Sequence, residues 1–191
     1  MNRLKIILKA VFIMSSWVSK DIGALTGIDA ENNANIISDY FRGKGWTVNA
    51  IAGLLANMQS ESGLNPNRWE NDEPYIGGYG LVQWTPYEKY SDWAGGEWES
   101  NYDLQLERIQ YEVDSGLQWI ATKRYPMSFK TFTQLRLSPY IMADIFLKNY
   151  ERPDVIEQPM RCEQAYYWFK YLGGYYIPIW LMSKFKEKEK I

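Results

Sequence analysis

Glu61 is the carboxylate best placed to do chemistry in this chain. It closes a helical run over residues 48–62 that starts after a capping Thr47 and stops at Gly63. At about 100° per residue, Glu61 lies beside Leu54 and one turn beyond Met58, so it continues the apolar stripe of Ile51, Leu54, Leu55 and Met58. It also falls in the last turn, where the helix dipole is negative. Both features penalise an ionised carboxylate, as a proton donor working at neutral pH requires. The alternative is a glutamate that turns out to water at a frayed helix end, and the wheel alone leaves both open. Carboxylates carry the weight because the 191 residues include no histidine and a single cysteine, Cys162. Ser-His-Asp and Cys-His catalysis, imidazole bases and His-ligated zinc are thereby excluded, as is an internal disulfide.

A second constellation follows the helix. Gly77-Gly78-Tyr79-Gly80-Leu81-Val82-Gln83-Trp84 sets glycines, which let backbone approach a ligand closely, before a Gln and a Trp. A glutamine amide both donates and accepts, as sugar hydroxyls and acetamides require, and an indole suits a pyranose face. An ordinary hairpin with tight turns would carry the same pattern, and the spacing is not that of a phosphate-binding loop. Tyr79 and Trp84 flank the Gly-Leu-Val-Gln turn and are the cleft candidates. For Trp69, Tyr87 and Trp93, core packing is the simpler expectation. Glu70, Asp72 and Glu73 lie between the two constellations and could supply a second carboxylate, with Asp72 preferred. Glu151, next to Arg152, is expected to form a structural ion pair, and Cys162 to be an inert small hydrophobe.

These residues need a frame, and the length suits one domain with short extensions. Hydrophobic residues make up 46% and charged residues 23%, the balance of a folded globular chain. The net charge of −2 argues against nucleic acid, whose binding needs a basic face. Helices are expected at about 31–43, 48–62, 103–115, 128–136, 139–151 and 159–172. One more should open at Thr85-Pro86-Tyr87-Glu88, with Thr as cap and Pro first, and Leu81–Trp84 reads as a short strand. The sum is a mostly helical α+β domain with a small β-hairpin beside the Glu61 helix, spanning 31–173. An extension over 1–30 precedes it and a tail over 174–191 follows. Residues 4–18 read as a basic amphipathic helix, suited first to docking on a partner, then to lying on a membrane surface, then to a weak signal peptide. The tail carries an apolar run from Tyr175 to Met182, then a charged end.

Asn57-Met58-Gln59-Ser60-Glu61-Ser62, then Gly80-Leu81-Val82-Gln83-Trp84-Thr85-Pro86, then Tyr150-Glu151-Arg152-Pro153 resemble, in that order, the phage tail lysozyme family. The resemblance covers about residues 31–172. The Glu-Ser pair and the Gly-Leu-x-Gln segment are also similar to goose-type lysozymes and lytic transglycosylases. It implies a lysozyme-like fold and cleavage of the β-1,4 bond between N-acetylmuramic acid and N-acetylglucosamine. Glu61 matches the catalytic acid, Gln83 and its neighbours the cleft strand, and Tyr150 the aromatic of the third motif. No metal or cofactor is implied.

Some family members carry a metal-dependent peptidase domain, and that activity is expected to be missing here. The implied partners are peptidoglycan strands and other phage tail proteins, with membrane contact through 4–18 open. The implied place is the virion tail acting on the host wall, or alternatively the bacterial envelope. Two alternatives stay open: a lytic transglycosylase of a conjugation or secretion system, and a non-catalytic wall-binding tail module.

Overall fold

The computed structural model describes residues 16–155 and 157–175. The expected basic helix lies almost wholly in residues 1–15, outside the described residues, and so does the tail from residue 176 on. Among the described residues seven α-helices form: α1 (Ile28–Gly43), α2 (Val48–Ser62), α3 (Glu88–Ala94), α4 (Asp103–Ser115), α5 (Phe129–Gln134), α6 (Pro139–Phe146) and α7 (Pro159–Tyr171). The chain is mostly helical, consistent with a lysozyme-like, α-rich fold. No helix among the described residues is long and apolar enough to cross a membrane.

Helix α2 is the centre. Every residue from Ala50 to Met58 is buried, because α1, α5, α6 and α7 all pack on it. Full burial of Ile51, Leu54, Leu55 and Met58 contributes about 1.5–3 kcal/mol each. Its ends are set by local chemistry. Thr47 Oγ1 accepts the Ala50 N–H at 3.1 Å, and Gly63 takes the left-handed conformation, φ 63°, that closes the last turn. Gly53 lets α6 come close. A Cβ there would stand 2.8 Å from the backbone carbon of Met142.

Residues 16–27 run over this bundle as a strap held by buried asparagines. The Asn33 side chain accepts from Val18 N at 3.0 Å and donates to the carbonyls of Val18 and Leu64. Asn65 does the same for Lys20 N, Lys20 O and Gly23 O. Both side chains satisfy backbone that no strand or helix serves.

The small hairpin does not form. Residues 69–84 make only two isolated bridges, Trp69 to Tyr79 and Tyr79 to Trp84. Positive φ at Gly77, Gly80 and Gln83 breaks the ladder that a strand over 81–84 would need. The helix expected from Thr85 begins instead at Glu88, and the Thr85 hydroxyl donates to Gln83 O at 2.9 Å rather than capping it. By contrast, Ser138 caps α6 ahead of Pro139, accepting the Ile141 N–H. The helix expected over 139–151 stops being α-helical at Phe146 and ends in a π-type turn, Leu147–Glu151. That turn widens the backbone where Tyr150 and Glu151 leave the helix, and such turns recur at functional sites.

Candidate active site

A cleft of about 440 Å³ opens between the end of α2, the loop carrying Arg68, Glu70 and Gln83, and the turn after α6. Glu61 lines it. So do Glu70, Gln83, Trp84 and Lys89 on one side and Glu151, Arg152 and Pro153 on the other. The last turn of α2 is tied to the opposing loop by Ser62. Its hydroxyl lies 2.9 Å from Met58 O and 3.0 Å from Leu81 O, a donor within reach of both carbonyls.

Glu61 does not stand on a purely apolar surface. Arg161 of α7 places Nη2 2.6 Å from Glu61 Oε1, with both side chains mostly shielded. The rest of that guanidinium is committed to Asn57 Oδ1 at 2.9 Å and Gln158 Oε1 at 2.6 Å. Pattern reading missed Arg161, yet a signal was present. Arg161, Ala165, Trp168 and Phe169 form the buried face of α7, so this arginine continues an apolar stripe as Glu61 does. Two opposite charges on two facing stripes are candidates for each other.

The expected site residues divide. Gln83 lines the cleft, and its Nε2 donates to the carbonyls of Arg68 and Gly80 at 3.0 and 2.9 Å, which pins the loop. Asp72 is not among the lining residues. It pairs with Arg68 and accepts the Gly23 N–H at 3.1 Å, so it ties the strap to the loop. Glu70 is the carboxylate of that loop that reaches the cleft, with Oε2 accepting the Gly78 N–H at 2.8 Å. Tyr79 is fully buried among Trp69, Tyr90 and Trp98, which corrects its expected place in the cleft. Burial pushes its phenol well above the usual tyrosine range. Trp84 lines the cleft but is almost wholly buried. Its ring stacks on Tyr90, with centroids 4.8 Å apart.

Tyr150 is also buried rather than lining the cleft. Its hydroxyl donates to Glu112 Oε2 at 2.6 Å. Glu112, fully buried on α4, additionally accepts from Trp84 Nε1 at 3.0 Å and from Arg108 Nε at 2.9 Å. Burial raises its carboxyl above the ordinary value, and the bonds from Tyr150, Arg108 and Trp84 oppose that shift. Trp84 and Tyr150, two of the three aromatics expected at the cleft, thus help to build its floor through Glu112. Glu112 was overlooked although it falls on the buried face of α4 with Gln105, Leu106, Ile109 and Val113.

Glu151 forms no ion pair, contrary to expectation. Its Oε1 is cut off from solvent and has no hydrogen-bond partner. Arg152 instead donates Nη1 to the carbonyls of Gln118, Asn149 and Tyr150.

Comparison with known proteins places the chain in a family. A family model described as phage tail lysozyme matches residues 32–172. Morphogenesis protein 1 of Bacillus phage B103 is 49% identical over 146 residues, which cover 74% of this chain and 40% of that protein. The match therefore covers less than half the length of that curated relative.

Proposed function

From the finding that the chain belongs to the phage tail lysozyme family, we propose that it is a tail-associated peptidoglycan hydrolase. It cuts the β-1,4 bond between N-acetylmuramic acid and N-acetylglucosamine and opens the host wall during genome entry. The observation that carries this reading is Glu61 on the wall of a cleft large enough for sugar rings, with Gln83 and Glu70 opposite. A glycan strand lies along the cleft. Glu61 gives a proton to the glycosidic oxygen as positive charge develops at the anomeric carbon. Gln83 offers its amide to hydroxyl or acetamide groups, and Lys89 and Arg68 favour the lactyl and peptide carboxylates that this polymer carries.

The fate of the positive charge separates two outcomes. Two-carboxylate glycosidases hold the pair roughly 5–9.5 Å apart. Asp72, tied to Arg68 and Gly23, does not line the cleft. Glu70 does line it and becomes the candidate second carboxylate for hydrolysis, with assistance by the substrate's own acetamide and a 1,6-anhydro product, as in a lytic transglycosylase, as the alternative. Digestion of purified Gram-positive peptidoglycan, with fragments identified by mass, tests the whole. Release of muropeptides by the wild type and not by Glu61→Gln supports the reading, and reducing or anhydro ends choose the mechanism. Wall binding without release by either protein would instead make the chain a binding module.

A further inference from the structure

Three carboxyls line the cleft, and one of them has no counterpart for its charge. Glu61 accepts from Arg161 and Glu70 accepts from Gly78 N. Glu151 Oε1 accepts from nothing and has no accessible surface, and no other side-chain atom among the described residues shares that state. The cations around it are engaged. Arg161 serves Glu61, Asn57 and Gln158, and Arg152 serves three backbone carbonyls. The charged groups that bear on Glu151 are Glu61 from α2, Glu112 from α4, Arg161 from α7 and Arg152 beside it. Arg68, Glu70 and Lys89 line the rest of the cleft. Glu151 is half-buried, and with one oxygen shut away without a donor its ionised form is disfavoured, a cost that keeping the proton lessens.

We infer that Glu151 is the proton-holding partner of Glu61: the two carboxyls carry one proton between them in the free protein, and Glu151 stores it inside the cleft. The inference rests on the glycan-cutting reading above and gives that site a second working carboxyl. Burial first, and the neighbouring Glu61 second, push the Glu151 carboxyl well above the usual range, which agrees with the geometry.

The chemistry balances. One proton leaves the pair for the glycosidic oxygen as the bond from that oxygen to the anomeric carbon breaks. A water, or the sugar's own 6-hydroxyl, then adds its oxygen to that carbon and returns one proton to the pair. Glu61 faces the reacting bond and Glu151 acts through it, so Glu151 is a positioning residue and its signature is the pH profile.

The test is kcat/KM on purified peptidoglycan from about pH 4 to 9 for wild type, Glu151→Gln, Glu151→Asp and Glu61→Gln. Glu151→Gln should match wild type near the acid end and fall about tenfold or more by neutral pH, its alkaline limb displaced to lower pH. Glu151→Asp should recover part of that loss, and Glu61→Gln should fail throughout. An unmoved alkaline limb in Glu151→Gln, whether activity is kept or lost equally at every pH, overturns the inference. Carboxyl carbon NMR of the wild type reads the same proton without activity. One glutamate signal should stay protonated through neutral pH and vanish in Glu151→Gln. Its absence overturns the pairing even where the variant fails to fold. A wild type that cuts no wall sinks the functional reading alone, and the NMR titration still decides for or against the pair.

Discussion

Glu112 and Glu151 lie close enough to feel each other's charge, yet the molecule treats the fully buried carboxyl of Glu112 and the half-buried one of Glu151 in opposite ways. Glu112, under the cleft floor, receives hydrogen bonds from Tyr150, Trp84 and Arg108. Glu151, on the cleft wall, leaves Oε1 with none. A fully connected buried carboxylate holds its surroundings in one arrangement, because each donor would be stranded without it. An unconnected one is a local cost that folding gains nothing from, and such costs concentrate where a protein does chemistry. The floor is built for stability, and on the proposed function the wall is where the reaction would take place.

The contrast is sharpest when a wall residue and a floor residue are each removed. Glu61→Gln should cut peptidoglycan release by about 10²–10⁴-fold, the contribution of a positioned proton donor, while the melting temperature falls less than in Glu112→Ala, since the glutamine oxygen still accepts from Arg161. Glu112→Ala should do the reverse. It strands an arginine, an indole N–H and a phenol in the interior, and should lower unfolding free energy by about 3–5 kcal/mol in urea titration. A loss below about 1 kcal/mol would erase the distinction between floor and wall.

The same contrast explains which parts were readable from sequence. The bounds of α2 and α4 and the caps at Thr47 and Ser138 follow from local rules: periodicity, a side-chain acceptor, a left-handed glycine. Glu61 was singled out by its place on a stripe and does line the cleft, and Arg161 could have been singled out by the same logic. What escaped depends on tertiary packing. Tyr79 and Tyr150 look like sugar-binding rings until the core claims them. The expected strand at 81–84 is undone by the positive φ of Gln83, which alternation of side chains does not reveal. The π-type turn at Leu147–Glu151 is invisible to a 3.6-residue period, so a single long helix was expected where the chain in fact re-aims Glu151.

A smaller effect is expected at the joint between floor and wall. Tyr150→Phe removes the 2.6 Å bond to Glu112 and nothing that lines the cleft. A hydrogen bond to a charged acceptor contributes about 1.5–3 kcal/mol, so urea unfolding should record a loss of that size. Glycan affinity should not change. A weakened affinity for soluble wall fragments with stability intact would return Tyr150 to the cleft.

Glu151→Leu should stabilise the protein, by about 1–3 kcal/mol at neutral pH, since it replaces a half-buried carboxyl with one oxygen shut away without a partner. The pH dependence gives the cause. Above about 4.3 the unfolded chain gives up the Glu151 proton, whereas the folded chain, its carboxyl raised by burial and by Glu61, keeps it. The folded state then binds more protons than the unfolded one, so this residue's contribution falls as pH rises toward the folded value. The leucine variant lacks that term. Its advantage over wild type, read by denaturant unfolding, should be small at acid pH and widen toward neutrality. An advantage that is constant with pH would mean that Glu151 ionises normally in the folded protein, and the opposition between a satisfied floor and a proton-bearing wall would fail.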